Sequence, residues 1–308
     1  MILFDSVPSG SRFGKVIWYN APGSHTYSGK GYRGNMRGNR LRRLLEADKP
    51  SLGTHLHSTW PSVVEVVGHA GVFDYVEFEG EYAPFDLYTL ENFCRAAELF
   101  GLGSMIKVDF EPKRFLAQRA IGAGFESVLF ADCRSAADVE ACVRAVRPDT
   151  PEDGGDHGVG MRRSTYMTYG GTPEYVQALR DVVIAVMIEK KQAVDQLQAL
   201  LSVPGVDMIT WGAADYCMSL GRPGTWDSKE VRAVEDEVLR TCLARGIPPR
   251  VEVERVDEAS RYIDMGIRHF CLGTDLLILY NGLQEEGQAL RQGLPLQSMS
   301  DPTEEVSH

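Results

Sequence analysis

The stretch DVVIAVMIEKKQAVDQLQALLSVPGVDMITWGAAD, residues 181–215, alternates between two kinds of local pattern. A continuous apolar run at residues 182–188 is followed by a helix-length segment at 191–201 and then by a second apolar run at 208–211. Short apolar runs separated by helix-length segments predict βα units that feed a parallel sheet buried on both faces. A carboxylate follows each apolar run, first Glu189 and then Asp215.

The same alternation continues on both sides of this stretch, from residue 51 onward. It predicts eight strands, at residues 52–57, 75–78, 104–108, 127–130, 182–188, 208–211, 250–253 and 269–272. Predicted helices separate them at 61–70, 87–100, 112–123, 136–146, 191–201, 228–245, 257–265 and 275–291. Eight successive βα units predict an α/β fold, a closed (β/α)8 TIM barrel with an N-terminal extension.

The length of 308 residues fits one barrel of about 250 residues with additions at its ends. Residues 1–50 are predicted as the N-terminal extension, with a helical patch at 39–47 that packs across a barrel end or against another subunit. Residues 51–294 are predicted as the barrel and 295–308 as a flexible C-terminal tail. The long connection at 148–172 is predicted to be a lid or substrate wall of the active site.

Composition narrows the functional classes. The formal net charge of −11 argues against nucleic-acid binding, which requires clustered positive charge. No run of 18 apolar residues and no export signal is present, so neither membrane spanning nor secretion is predicted. The six cysteines lie far apart without a CxxC pair, which favours buried thiols in a reducing compartment. We therefore predict a cytoplasmic enzyme.

The strongest candidates for chemistry are Glu189 and Asp215. Barrel enzymes place functional side chains at the carboxyl ends of their strands. A carboxylate at the end of an apolar strand is costly to ionise unless a cation or donor compensates its charge. Because Mg²⁺ and Mn²⁺ prefer oxygen ligands, two such carboxylates in adjacent units indicate a divalent-metal site.

Four segments, residues 73–90, 186–194, 205–221 and 270–279, resemble the class II pyruvate-dependent aldolases of the HpcH/HpaI family. The resemblance covers roughly residues 51–292, in order and with suitable spacing. It implies a homo-oligomeric barrel whose last helix exchanges between subunits. It also implies a divalent metal (Mg²⁺, Mn²⁺ or Co²⁺) that chelates a 2-oxo acid such as pyruvate or oxaloacetate. The implied reaction is reversible carbon–carbon cleavage through a metal-stabilised enolate, with an aldehyde as the second substrate.

The resemblance assigns roles to individual residues. Glu189 and Asp215 stand at the positions of the family's metal ligands. Gly212, Ala213 and Ala214, together with Asp215, fall on a small-residue loop that would bind the substrate, the backbone N–H groups holding its carboxylate. Lys107 stands where the family has an arginine that polarises the substrate carbonyl, so the positive charge is retained.

Departures from the family pattern cluster around proton transfer. The family's Asp-Gly-Glu-His is Glu79-Gly80-Glu81-Tyr82 here, so the histidine of the general-base dyad is missing. Its aspartate partner falls near Ala120, and the family's glutamine two residues before the metal glutamate is Met187. The sequence therefore predicts a rebuilt pocket around an intact metal pair.

Several residues remain candidates for proton transfer. Tyr82 is one, provided that Lys107 and the metal lower its pKa. His55 and His57 are others, because both end the first strand in THLHSTW and point to the same side of it. Glu79 or a metal-bound water are further alternatives.

Arg162, in the 148–172 connection, is predicted to bind a substrate carboxylate or phosphate. The leading function is a metal-dependent lyase of the aldolase type. The alternatives are a 2-oxo-acid decarboxylase, which needs no C–H proton abstraction, and a metal-binding relative that has lost catalysis.

Overall fold

A computed structural model describes residues 37–160, 162 and 170–294. Eight strands form a closed barrel in chain order, each parallel to the next. They are β1 (Ser51–Leu56), β2 (Tyr75–Glu79), β3 (Gly103–Val108), β4 (Ser127–Phe130), β5 (Val183–Ile188), β6 (Met208–Trp211), β7 (Pro249–Val253) and β8 (His269–Thr274). This arrangement confirms the predicted (β/α)8 TIM barrel.

Helices surround the barrel and connect its strands. Those that the structure describes are α1 (Arg40–Glu46), α2 (Pro61–Ala70), α3 (Leu87–Leu99), α4 (Lys113–Ala123), α5 (Ala136–Val146), α6 (Pro173–Arg180), α7 (Lys191–Asp195), α8 (Leu197–Leu200), α9 (Ala213–Ser219), α10 (Lys229–Ala244), α11 (Ala259–Asp264) and α12 (Asp275–Gly293). The predicted helix at 191–201 is broken at Gln196, whose backbone leaves helical geometry (φ −114°, ψ 19°). The predicted loop after β6 is a short helix, α9, with Asp215 in its first turn.

Local capping explains where several helices begin. Asp86 accepts a hydrogen bond from the Thr89 backbone, and the Thr89 side chain accepts one from the backbone of Asp86, so α3 starts with a reciprocal cap. Ser135 and Asp138 form the same arrangement at the start of α5. These caps satisfy N–H groups that have no partner within the helix.

Alternation along the strands divides the core into two parts. One set of positions, including Val76, Ile106 and Val186, packs against the helices, and the opposite set, including Met105 and Met187, forms a smaller cluster that Leu41 of α1 joins. Successive strand residues point to opposite faces, so the second set fills the barrel interior.

Helix α1 closes the amino-terminal end of the barrel. Asn39, at its start, donates to the backbone carbonyls of Glu126 and Asp181. Glu126 directly precedes β4, and Asp181 lies two residues before β5. Arg42 binds Asp207, just before β6, at 2.6 Å. Of the two predicted locations, across a barrel end or against another subunit, the helical patch therefore takes the first.

The prediction that residues 148–172 form an active-site lid is wrong for the part that the structure describes. The backbone N–H of Asp156 donates to Arg144 O, and Arg180 binds Asp153 at 2.8 Å. Arg144 and Arg180 lie in the last turns of α5 and α6, which end at the amino-terminal face of the barrel. The segment follows a helix rather than a strand, so it lies on the face opposite the strand carboxyl ends.

All six cysteines are buried and free, as predicted. Among the residues that the structure describes, no helix combines the length and apolar character needed to cross a membrane. The predicted tail at 295–308 and residues 1–36 of the predicted extension lie outside the described residues.

Candidate active site at the barrel mouth

Charged side chains line the barrel interior towards the carboxyl ends of the strands, which we call the mouth. In β2, the side chains of Tyr75, Glu77 and Glu79 point into the barrel. Lys107 of β3 and Arg250 of β7 also point into it. Glu77, Glu79, Lys107 and Arg250 are each at most 8% exposed. Buried charges of both signs are stable only when they are paired, so this layer is an organised ionic network.

Glu189 follows β5 and is 2% exposed. Its Oε1 accepts a hydrogen bond of 2.5 Å from the backbone N–H of Asp132, a residue that holds the left-handed region at φ 60°. Burial raises the pKa of Glu189 to about 7, although this N–H and the nearby Lys107 and Lys190 lower it. The charge of Asp215 adds to the increase. Burial is therefore the main reason why the pKa of this carboxylate lies above its ordinary value.

Asp215 lies in the first turn of α9, with its side chain 38% exposed. Lys190 lies between two carboxylates, with Nζ 3.2 Å from Asp215 and 2.5 Å from Asp132. Gly212, which caps α9, lies against Glu189, so the two predicted metal ligands follow neighbouring strands.

Position 212 requires a glycine because the Glu189 side chain lies directly against it. A Cβ at position 212 would lie 2.7 Å from Cβ and 2.9 Å from Oε2 of Glu189, closer than real Cβ contacts. Its N–H donates to Ile188 O and is therefore unavailable to a substrate. The predicted carboxylate-binding groups thus narrow to the N–H groups of Ala213 and Ala214, and Gly212 instead provides space for Glu189.

The residues present fit a divalent cation at this point. Carboxylate oxygens of Glu81, Asp109 and Asp132, at the ends of β2, β3 and β4, all lie within 4.8 Å of one another. The backbone N–H of Asp132 also donates to Glu189. A group of carboxylate oxygens is a donor set that Mg²⁺ or Mn²⁺ prefers.

Lys107 and Tyr82 lie together at the mouth. Nζ of Lys107 is 2.7 Å from Glu81 and 3.6 Å from Glu79. Burial alone would lower the pKa of Lys107, but these two carboxylates raise it well above its ordinary value, so it stays charged. The ammonium also lies 5.3 Å from the centroid of the Tyr82 ring, which is 68% exposed.

The predicted lowering of the Tyr82 pKa by Lys107 is outweighed in the metal-free protein. Burial and the hydrogen bond with Glu81 raise the pKa of the hydroxyl, and Lys107 reverses only part of this change. Tyr82 therefore keeps its proton at neutral pH and is suited to donate a proton rather than to remove one.

His55 and His57 lie on the same side of β1, as alternation predicts, with their rings stacked at 5.1 Å. Nε2 of His55 is 3.2 Å from Oε2 of Glu79, and Nδ1 of His57 is 3.6 Å from Asp275. His57 is thus at the mouth but beside β2 and β8 rather than beside Glu189.

Arg162 does not lie at the mouth, so its predicted role in substrate binding is wrong. Its guanidinium binds Glu98 at 2.6 Å and the Ala123 carbonyl at 2.9 Å. Both partners lie at the carboxyl ends of α3 and α4, on the amino-terminal face of the barrel. Arg162 neutralises those helix ends, where carbonyl groups favour a cation.

Ala120 and Met187, which stand where the family pattern has an aspartate and a glutamine, lie in apolar surroundings. Ala120 is fully buried in the core between helices and sheet, and Met187 is 3% exposed in the barrel interior. Neither position supplies a polar group to the mouth.

Sequence reasoning missed Asp109, Asp132, Lys190, Arg250 and Glu252 as parts of the mouth or its support. Arg250 binds Glu252 at 2.8 Å and also pairs with Glu77 and the Tyr75 hydroxyl. Spacing of charged residues at every second position could have revealed this layer, because such residues share one face of a strand. Glu77, Glu79 and Glu81 have this spacing, and so do Arg250 and Glu252. Asp109 and Asp132 follow the third and fourth strands, where a barrel enzyme places its functional groups.

A closed parallel barrel with an acidic mouth, the buried Lys107 and a buried glutamate after β5 defines a barrel enzyme suited to bind a cation and an anionic substrate together. The profile of the HpcH/HpaI aldolase/citrate lyase family matches residues 52–281. The chain belongs to this family, as its sequence segments predicted, and it is a carbon–carbon lyase.

Individual relatives are distant in sequence but similar over nearly their whole length. The 5-keto-4-deoxy-D-glucarate aldolase of Citrobacter koseri is 27% identical over 256 residues, covering 82% of this chain and 97% of that protein. The hydroxypyruvate/pyruvate aldolase of Pseudomonas aeruginosa is 26% identical over 263 residues, covering 85% and 96%. The crystal structure of a family member from Burkholderia cenocepacia is 27% identical, with a TM-score of 0.74 and coverage of 82% and 99%.

Proposed function

We propose that this protein makes or breaks a carbon–carbon bond next to a 2-oxo acid such as pyruvate, with a divalent cation held by Glu189 and Asp215. The observation that carries the proposal is the position of Glu189, a buried carboxylate after β5 that lies against Gly212, in the turn that leads to Asp215. The names of two relatives, a pyruvate aldolase of Rhizobium etli and the hydroxypyruvate/pyruvate aldolase, support the substrate class.

A bound Mg²⁺ or Mn²⁺ would supply positive charge to the carboxylate and carbonyl oxygens of the 2-oxo acid. Lys107 would add a fixed ammonium from the other side of the mouth, stabilising negative charge that develops on the carbonyl oxygen as the bond breaks. Ala213 and Ala214 would leave room for the substrate beside Asp215. Tyr82, which retains its proton, would donate to a developing oxyanion.

The test is a metal-dependent assay with matched variants. Pyruvate release from a 4-hydroxy-2-oxo acid is measured with Mg²⁺, Mn²⁺ or Co²⁺, alongside calorimetric titration with Mg²⁺ alone. Glu189→Gln and Asp215→Asn should abolish both Mg²⁺ binding and activity. Glu237→Gln, the same change on the exposed face of α10, should alter neither. Unchanged metal affinity in Glu189→Gln and Asp215→Asn would refute the metal assignment.

A second candidate, decarboxylation of a 2-oxo diacid such as oxaloacetate, is favoured by the state of Tyr82. Loss of CO₂ generates the same developing charge without abstraction of a C–H proton, so a tyrosine that keeps its proton is sufficient. Oxaloacetate decarboxylation by a protein that, in a separate reaction, exchanges no solvent deuterium into added pyruvate would select this reaction. Exchange at a comparable rate would select the aldolase.

A further inference from the structure

The end of β1 presents two imidazoles to one side of the mouth. His55 and His57 are two residues apart on an extended segment, so their side chains point the same way. The rings are nearly parallel, with planes 6° apart. The pairing of β1 with β8 is irregular between Gly53 and His55, a distortion that re-aims side chains at strand ends.

One of these imidazoles has a carboxylate partner and the other has a buried nitrogen without a hydrogen bond. His55 is 8% exposed, and its Nε2 pairs with Oε2 of Glu79 at 3.2 Å. Nδ1 of His57 is buried, lies 3.6 Å from Asp275 and makes no hydrogen bond. Buried polar atoms are nearly always paired with protein, water or an ion, so the nitrogen of His57 points to a ligand.

The spacing of these groups suits a metal ion. One nitrogen of His55, one nitrogen of His57 and a carboxylate oxygen of Glu79 all lie within 4.8 Å of one another. Ligand atoms about 2.0–2.1 Å from a tetrahedral zinc ion are about 3.4 Å apart, a distance that small side-chain rotations would reach. We propose that His55, His57 and Glu79 form a second metal site, which binds a first-row transition metal such as Zn²⁺ in preference to Mg²⁺.

Ligand chemistry separates this site from the one at Glu189. Two imidazoles and one carboxylate suit Zn²⁺, Co²⁺ or Fe²⁺, whereas Mg²⁺ prefers oxygen ligands. His55 and Glu79 belong to β1 and β2, whereas Glu189 and Asp215 follow β5 and β6. In a ring of eight strands these pairs lie on opposite sides, so the two sites are distinct.

The local charge also favours a cation. The network around His55 contains four carboxylates (Glu77, Glu79, Glu81 and Glu252) and two permanent cations (Lys107 and Arg250). The carboxylates outnumber the permanent cations by two, so a divalent cation would balance the charge of the network.

Asp275 fixes the backbone that carries the second imidazole. Its two carboxylate oxygens accept hydrogen bonds from the N–H groups of His57 and Ser58, at 3.0 and 2.9 Å. The end of β1 is thus tied to the start of α12. A fixed backbone lowers the entropic cost of metal binding.

Metal titration with a spectroscopic readout tests the proposal. The full, tag-free chain is treated with chelator, saturated with Mg²⁺, and titrated with Co²⁺ by visible absorption and with Zn²⁺ by calorimetry. We expect one equivalent of each ion per chain, with cobalt bands typical of nitrogen ligation and a Zn²⁺-dependent rise in Tm. His55→Ala, His57→Ala and Glu79→Gln should each weaken this binding at least tenfold.

Two controls make the result specific. His69→Ala, at an exposed histidine of α2, and Glu189→Gln should both leave the Co²⁺ spectrum unchanged. His57, with a side chain 34% exposed, decides the question if His55→Ala does not fold. The proposal is overturned if Mg²⁺-saturated protein binds no Co²⁺, if the histidine variants bind it normally, or if Glu189→Gln abolishes it. Loss of Mg²⁺-dependent activity in Glu189→Gln with Co²⁺ binding retained would support both sites independently.

Discussion

Lys107 carries a buried positive charge between Glu79 and Glu81 and faces the mouth, so its contribution to the reaction can be isolated. Lys107→Met should lower kcat/KM about 100-fold, the usual effect of removing one group that stabilises transition-state charge. Lys107→Arg should restore most of the activity because it keeps the charge. Steady-state kinetics with the 2-oxo-acid substrate provides the measurement.

The same substitution leaves two carboxylates unpaired, so a structural effect must be distinguished. Circular dichroism and Tm would show whether Lys107→Met is folded at the assay temperature. Lys191→Met removes an exposed lysine that pairs with Asp195 and should leave kcat/KM unchanged. Equal activity of wild type and folded Lys107→Met would contradict the catalytic role.

Glu189 makes the stability of the metal-free protein depend on pH. Its pKa is about 7 when folded against 4.5 for the free side chain, so the folded state binds more protons between these values. Stability should therefore fall as pH rises from about 4.5 through 7, by about 3 kcal/mol in total. Urea unfolding of wild type and Glu189→Gln in the presence of chelator should show a difference of this size that develops with pH.

Added metal should remove this dependence, since Mg²⁺ binds the ionised carboxylate. At pH 8, saturating Mg²⁺ should raise the free energy of unfolding of wild type but not of Glu189→Gln. A difference between the two proteins that does not vary with pH would mean that Glu189 is fully compensated without a cation.

At the level of elements, the turn from β6 into α9 places Gly212 against Glu189. Gly212→Ala would bring a methyl group within 3 Å of the Glu189 side chain. The backbone at position 212 directly follows β6 and cannot move far. We therefore expect the Glu189 carboxylate to shift and the metal affinity to fall about tenfold or more, which corresponds to about 1.4 kcal/mol. Calorimetric titration of Mg²⁺ or Mn²⁺ measures the change.

Gly158→Ala is the matched control, because a Cβ at position 158 meets no atom within 4 Å. Its metal affinity should equal that of wild type. If Gly212→Ala also binds metal normally, the close contact with Glu189 does not position that ligand.

Strand existence was predictable because the outward positions of each strand are apolar and the intervening helices begin at recognisable caps. The charged interior was harder to predict, since Glu77 and Arg250 interrupt apolar runs and resemble surface positions until their partners across the barrel are known. Glu189 and Asp215 were predictable from their place after strands. The prediction for Arg162 was wrong because residues 148–172 were taken as a connection that follows a strand. They follow α5 instead, so they lie on the opposite face of the barrel.

Proton transfer could not be predicted for a different physical reason. The pKa of Tyr82 depends on competition among burial, Glu81 and Lys107, and each effect requires a distance. The same holds for His55, whose pairing with Glu79 becomes evident only when β1 and β2 are placed side by side.

For the whole molecule, the C-terminal helix α12 indicates self-association. None of its side chains is buried, and Leu276, Leu279, Leu283 and Leu290 are 57–68% exposed along one helical stripe. Such a stripe is typical of an interface, so we predict that α12 packs on a second copy of the chain. Sedimentation should show an oligomer that Leu279→Glu with Leu283→Glu dissociates, because each buried leucine contributes about 1.5–3 kcal/mol. Gln292→Glu, which adds one charge to the same helix, should leave the oligomer intact, and a monomeric wild type would contradict the prediction.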